Sequence, residues 1–97
     1  MTASDHLSDI QFRNPGEMGF IGSRDYAGKI GDIEFAPGGE SDHRVKKIME
    51  SAKTEGIKEP VEVKGPAYGG ERYLHDGHHR YVAAKRLGID VPIKGWY

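Results

Sequence analysis

Glu71-Arg72-Tyr73-Leu74-His75 runs into Asp76-Gly77-His78-His79-Arg80 and then into Tyr81-Val82-Ala83-Ala84-Lys85-Arg86-Leu87-Gly88. The first five residues suit a strand. The last eight suit a helix closed by Gly88, so the chain must pass from sheet to helix within a tight turn. A helix N-terminus formed this way points backbone N–H groups and a partial positive charge outward, which favours an anion such as phosphate. Gly77 permits the sharp turn and lets a ligand approach the backbone with no Cβ in the way. Arg80 adds a planar, permanently charged fork, and His78 and His79 can each donate an N–H. Gly77, His78, His79 and Arg80 are therefore the candidate phosphate-binding residues.

Other readings of the same residues compete with this one. Asp76 can serve as a helix cap, His75 as a half-solvated strand residue, and Arg80 as a surface ion-pair partner of Glu71 or Asp76. His75, His78, His79 and Asp76 are also proper ligand types for zinc. Adjacent His78 and His79 diverge at a helix start, however, so no dedicated metal site is expected. Magnesium accompanying a nucleotide fits better, with Asp76, Glu40 or Asp42 near it.

The flanking pattern supplies the scaffold. Val45, Ile48, Met49 and Ala52 fall at i, i+3, i+4 and i+7, one apolar stripe of a helix over residues 41–55 that Ser41 or Asp42 can cap and Gly56 can close. Arg44, Lys46, Lys47 and Lys53 lie mainly off the stripe, as a solvated face and secondarily a polyanion contact. Val61-Glu62-Val63-Lys64 alternates as a strand, and the turn-rich residues 65–70 make a hairpin to the strand before Asp76. Residues 89–93 give a last short strand. Tyr68 and Tyr73 are candidates to stack on a base, with core packing as the default. The order is that of an α+β domain with a small mixed sheet and two main helices.

Residues 1–35 read differently. Asn14-Pro15-Gly16 signals a turn, and Gly19, Gly22, Gly28 and Gly31 defeat a long helix. Ile10 with Phe12, and Phe20 with Ile21, are expected as brief strands or hydrophobic anchors, and residues 29–35 as a half-buried strand or extended segment. The expected organisation is an irregular Gly-rich segment over 1–35 joined to a core over 36–97, within one domain. Ninety-seven residues have no room for two cores.

Composition narrows the function classes. The chain has no cysteine, which removes disulfides, thiolate metal sites and thiol chemistry. No apolar run approaches a membrane span, and the first residues lack the basic and apolar regions of a signal peptide, so a cytoplasmic setting is expected. The net charge of −1 hides a division: residues 1–42 carry three basic and eight acidic side chains, residues 43–97 eleven and seven. The second half can meet an anion, but the balance is too small for strong sequence-independent DNA binding.

Residues 76–88 followed by Val91-Pro92 resemble the signature of the ParB/sulfiredoxin-like superfamily: a strand ending in Asp-Gly, a polar residue, His-Arg, then a helix with Ala-Ala before Leu-Gly. Helix 41–55, Gly56, Pro60 and the strand after it are similar to the family's upstream elements. The resemblance covers about residues 41–94. It implies binding of a nucleoside triphosphate, CTP or ATP with Mg2+, with Gly77, His79 and Arg80 as phosphate contacts. Members of the family include chromosome-partitioning CTPases, an ATP-using sulfinic-acid reductase and a free-serine kinase, and some relatives are labelled nucleases. Sulfiredoxin has its reactive cysteine where this chain has His78, so that reaction is excluded. The partitioning proteins carry a further DNA-binding domain, and with the chain ending at Tyr97 a complete sliding clamp is not expected. In relatives the segment before the first helix lines the nucleotide pocket, which makes Glu40, Asp42 and His43 candidates for a general base. The resemblance leaves two readings: a phosphohydrolase or phosphotransferase, and a non-catalytic protein- or DNA-interaction module of phage or plasmid type. A nuclease would need a carboxylate cluster that the sequence lacks.

Overall fold

The computed structural model describes residues 10–18, 21–23, 33–67 and 71–95. Their elements are β1 (Ile10–Arg13), β2 (Gly22–Ser23), α1 (Glu40–Glu55), β3 (Val61–Ala67), β4 (Glu71–Asp76), α2 (His78–Leu87) and β5 (Val91–Lys94). This is the expected α+β class. The strands form one mixed sheet in the order β1-β5-β3-β4-β2. β3 and β4 pair antiparallel, with Val63 opposite Leu74, while β5 lies parallel to β3 and antiparallel to β1. The centre of the sheet is thus β3, a Val-rich strand that is flanked on both sides, as its buried Val61 and Val63 require.

α2 carries four consecutive buried residues, Tyr81, Val82, Ala83 and Ala84. A helix covered over so much of its circumference must lie between two layers. α2 does, packing against β3 and β5 on one side and α1 on another. Its two alanines keep the approach close. α1 buries Val45 and Ala52, with Ile48 and Met49 half-buried against the same core, so the four-residue stripe in the sequence is the face that meets the fold.

Several local expectations change. No side chain caps α1: Gly39 is the N-cap, and Asp42, one turn in, reaches back to accept the Gly38 N–H at 2.9 Å. No side chain caps α2 either, so Asp76 ends β4 instead of capping the helix. Residues 33–36 form no strand, although Ile33 is buried and Phe35 packs on the core. The predicted turn at Asn14-Pro15-Gly16 is present, closed by the Glu17 N–H on the Asn14 carbonyl at 2.9 Å. Within the Gly-rich segment, Ile10–Arg13 completes one edge of the sheet and Ile21 and Ile33 join the core. Phe20, Tyr68 and residues 29–32 lie outside the described residues.

Candidate functional site: a cationic groove at the start of the second helix

Gly77 sits between β4 and α2 in a left-handed conformation, φ +88°. A side chain here is barred by the positive φ and by Val61 Cγ1, which would lie 2.7 Å from a Cβ, and Arg80 Nη2, at 3.1 Å, would also have to give way. The strand therefore turns into the helix directly over β3, and the first turn of α2 opens into a groove of about 540 Å³. Asp76, Gly77, His78, His79 and Arg80 line one side, and Arg44, Lys47 and Ile48 of α1 line the other. The four residues singled out in the sequence are thus brought together. The facing cations from α1 are an addition. Arg44 and Lys47 sit at helical spacing i, i+3, but nothing in the sequence says which face of α1 meets the start of α2.

Arg80 is held in place by its ends. Nη2 donates to the Pro60 carbonyl at 3.1 Å, Nη1 meets Glu59 Oε2 at 3.4 Å, and Asp76 Oδ2 lies 4.0 Å away. The ion-pair reading of Arg80 is thereby realised with Asp76 and Glu59. Its Nε is buried and has no hydrogen-bond partner among the described residues. The neighbouring His79 repeats the pattern: its ring stacks on Phe35, centroids 5.0 Å apart and planes 20° from parallel, while Nε2 is buried without a partner. Burial, then the charges of Arg44, His78 and Arg80, push the His79 imidazolium below the usual histidine range. His79 is therefore neutral at neutral pH, one ring nitrogen a donor and the other an acceptor.

The three expected base candidates fare differently. Asp42 is buried and accepts from the Gly38 amide, from Arg86 Nη1 at 2.6 Å and from Lys46 at 3.2 Å. The Gly38 amide, then Arg86 and Lys46, hold its carboxyl well below the usual carboxylate range against the effect of burial. A carboxylate so acidic and so fully engaged is a poor proton acceptor, and it does not line the groove. Its place is in the scaffold. Glu40 is exposed at the first residue of α1. His43 is exposed and lines an adjoining groove with Lys46, Lys47 and Lys53, next to the first through the shared Lys47.

No three His, Asp or Glu side chains among the described residues converge on one point. His75 lies 3.6 Å from Glu62 on the neighbouring strand. No helix among the described residues is long and apolar enough to cross a membrane.

No family model and no solved structure matches the chain. It is 33% identical over 78 residues to the ATP-dependent L-serine kinase of Staphylothermus marinus, a match that takes in 66% of this chain and 29% of the kinase. The chain thus spans less than a third of the length of this relative.

Proposed function

We propose that this chain is a nucleotide-binding domain of the ParB/sulfiredoxin-like kind, in which the phosphates of a nucleoside triphosphate occupy the groove at Gly77, His78, His79 and Arg80, and that it serves phosphoryl transfer. The observation that carries the reading is the pair of buried nitrogens without a partner among the described residues, His79 Nε2 and Arg80 Nε, on consecutive residues of the first turn of a helix that no side chain caps. Buried polar atoms are nearly always satisfied, and adjacent exceptions at a cationic groove suit a ligand rich in oxygen acceptors. The similarity to an ATP-dependent kinase supports the same class of ligand.

The residues present fit a phosphate chain. Arg44, Lys47 and Arg80 provide charge from two helices, Gly77 leaves the backbone bare, and Asp76 is the one carboxylate among the described residues of the groove lining. One carboxylate together with phosphate oxygens is an ordinary setting for Mg2+, which would neutralise charge on the phosphates. The protein's own part is electrostatic: Arg80 and neutral His79 donate to oxygens on which negative charge concentrates as a terminal phosphoryl group leaves. Glu40 and His43 are the remaining candidates for accepting the proton of the attacking group.

Calorimetric titration with ATP, CTP and GTP, with and without magnesium, tests the reading on the wild type, Arg80→Ala and Arg80→Lys. We expect binding of at least one nucleotide, lost in Arg80→Ala and only partly kept in Arg80→Lys, whose ammonium cannot reproduce the fork. No binding by any of the three at millimolar concentration would refute it and favour a non-catalytic interaction module. A turnover assay with the bound nucleotide then separates enzyme from binder.

A further inference from the structure

Residues 33–36 form no strand, and they are fastened to the far end of α2. Arg86 Nη2 and Nε both donate to Glu34 Oε1, at 2.5 and 3.0 Å, and Nη2 also lies 3.4 Å from the Phe35 carbonyl. Lys85 donates to the Ile33 carbonyl, and Ile33 itself is buried in the core. Through its remaining arm Arg86 binds Asp42 of α1 at 2.6 Å, so strap, α1 and α2 meet at one guanidinium. Phe35 follows Glu34 directly. Its ring lies on His79, two helical turns back along α2 from Arg86.

We infer that this strap is a positioning device for the groove: the Glu34–Arg86 clamp holds the Phe35 ring against His79, and the stacked ring fixes the direction in which the imidazole presents its nitrogens. A histidine in the first turn of a helix can otherwise adopt several rotamers, most of which turn the N–H away from a ligand. An aromatic ring laid on one face selects among them while leaving the polar ring edge unblocked. The other charged groups around His79 are Arg44 from α1 and His78 and Arg80 from α2, all cationic or potentially so. His79 Nε2 has no hydrogen-bond partner among the described residues, and the stacked contact with Phe35 supplies the orientation. Phe35 and Glu34 act through His79 and are positioning residues. The ligand arm of this inference rests on the anion-site reading above, whereas the contact itself does not.

The test compares wild type, Phe35→Leu, Phe35→Tyr and Glu34→Gln by NMR of the His79 ring and by titration with inorganic triphosphate. In the wild type we expect the His79 ring protons to carry the shift of a stacked aromatic. We expect that shift to vanish in Phe35→Leu, to persist in Phe35→Tyr and to diminish in Glu34→Gln, where Phe35 is untouched. Triphosphate should bind roughly two- to tenfold more weakly in Phe35→Leu and Glu34→Gln, and as in wild type in Phe35→Tyr. If Phe35→Leu fails to fold, Glu34→Gln, altered at a half-exposed side chain, carries the comparison. Unchanged His79 shifts in Glu34→Gln would overturn the clamp. A displaced ring with unchanged triphosphate affinity would overturn the positioning role. Should the wild type itself fail to bind triphosphate, the anion site is refuted, and the ring shifts still decide whether the clamp exists.

Discussion

Gly77 is the position where backbone geometry and the proposed phosphate site make the same demand. Its φ of +88° lies where an L residue is strained, and the nearest atom to an added Cβ is a branch of buried Val61, which cannot swing aside as a flexible chain end would. Gly77→Ala combines left-handed strain with overpacking. We expect a loss on the order of 3 kcal/mol in urea unfolding. The same Cβ would approach Arg80 Nη2, so nucleotide binding should weaken in Gly77→Ala even under conditions where the variant is fully folded. A binding defect matched only by the unfolded fraction would show that Gly77 serves the turn alone. The sequence made this residue legible because a strand, a glycine and a helix in immediate succession allow few backbone paths. His79 was legible as a polar group at that turn. Its stacking on Phe35 was not, since the two residues are far apart in the chain and no spacing rule links them.

At the level of elements, the long periodic segments were readable, and of the short ones the last strand was expected over 89–93 and a brief strand or anchor at Ile10 with Phe12, where β5 and β1 lie. α1, α2 and the β3–β4 hairpin follow from apolar spacing and turn residues within single windows. β1 and β2 have four and two residues, too few for a period to declare itself, and they become strands only because the sheet offers them an edge. The alternation at Ile33 and Phe35 reports burial correctly, but residues 33–36 form no strand, and Arg86 fastens them to α2. Asp42 looked like a cap or a base for a related reason: its partner lies on another helix. This three-way junction makes a pH prediction. Asp42 and Glu34 both titrate below their ordinary values of 3.8 and 4.5. For Glu34, burial opposes the shift, but the Arg86 and Phe35 hydrogen bonds and the Arg86 and Lys85 charges outweigh it. A depressed carboxyl stabilises the fold above its unfolded value, and that contribution is lost as pH falls through the folded one. The wild type should therefore lose stability as pH drops below 4.5 and further below 3.8. Asp42→Asn should be less stable at neutral pH, with the gap to wild type closing in acid. Parallel urea curves across that range check this, and a gap that stays constant would mean that Asp42 contributes by shape and not by charge.

For the whole molecule, the small size of the domain turns ligand binding into a large change in melting temperature. The net charge of −1 is divided so that the second half of the chain is basic, and Arg44, Lys47 and Arg80 of the groove all come from that half. A polyanion bound among these charges stabilises the native state that assembles them, so binding and folding are linked. A ligand at a hundred times its dissociation constant stabilises the native state by about 2.7 kcal/mol. In a domain of this length each kcal/mol is worth roughly 4–8 °C, which gives a rise of roughly 10–20 °C. We expect the cognate nucleotide to produce such a rise in the wild type and little or none in Arg80→Ala. Added salt should reduce it, because the groove cations are only partly shielded from solvent. Inorganic triphosphate should reproduce part of the rise, the shortfall measuring what base and sugar contribute. An equal rise with mixed-sequence DNA, steeply salt-dependent and present in Arg80→Ala, would instead place binding on the outer basic face of α1 around Lys46 and Lys53, away from the turn.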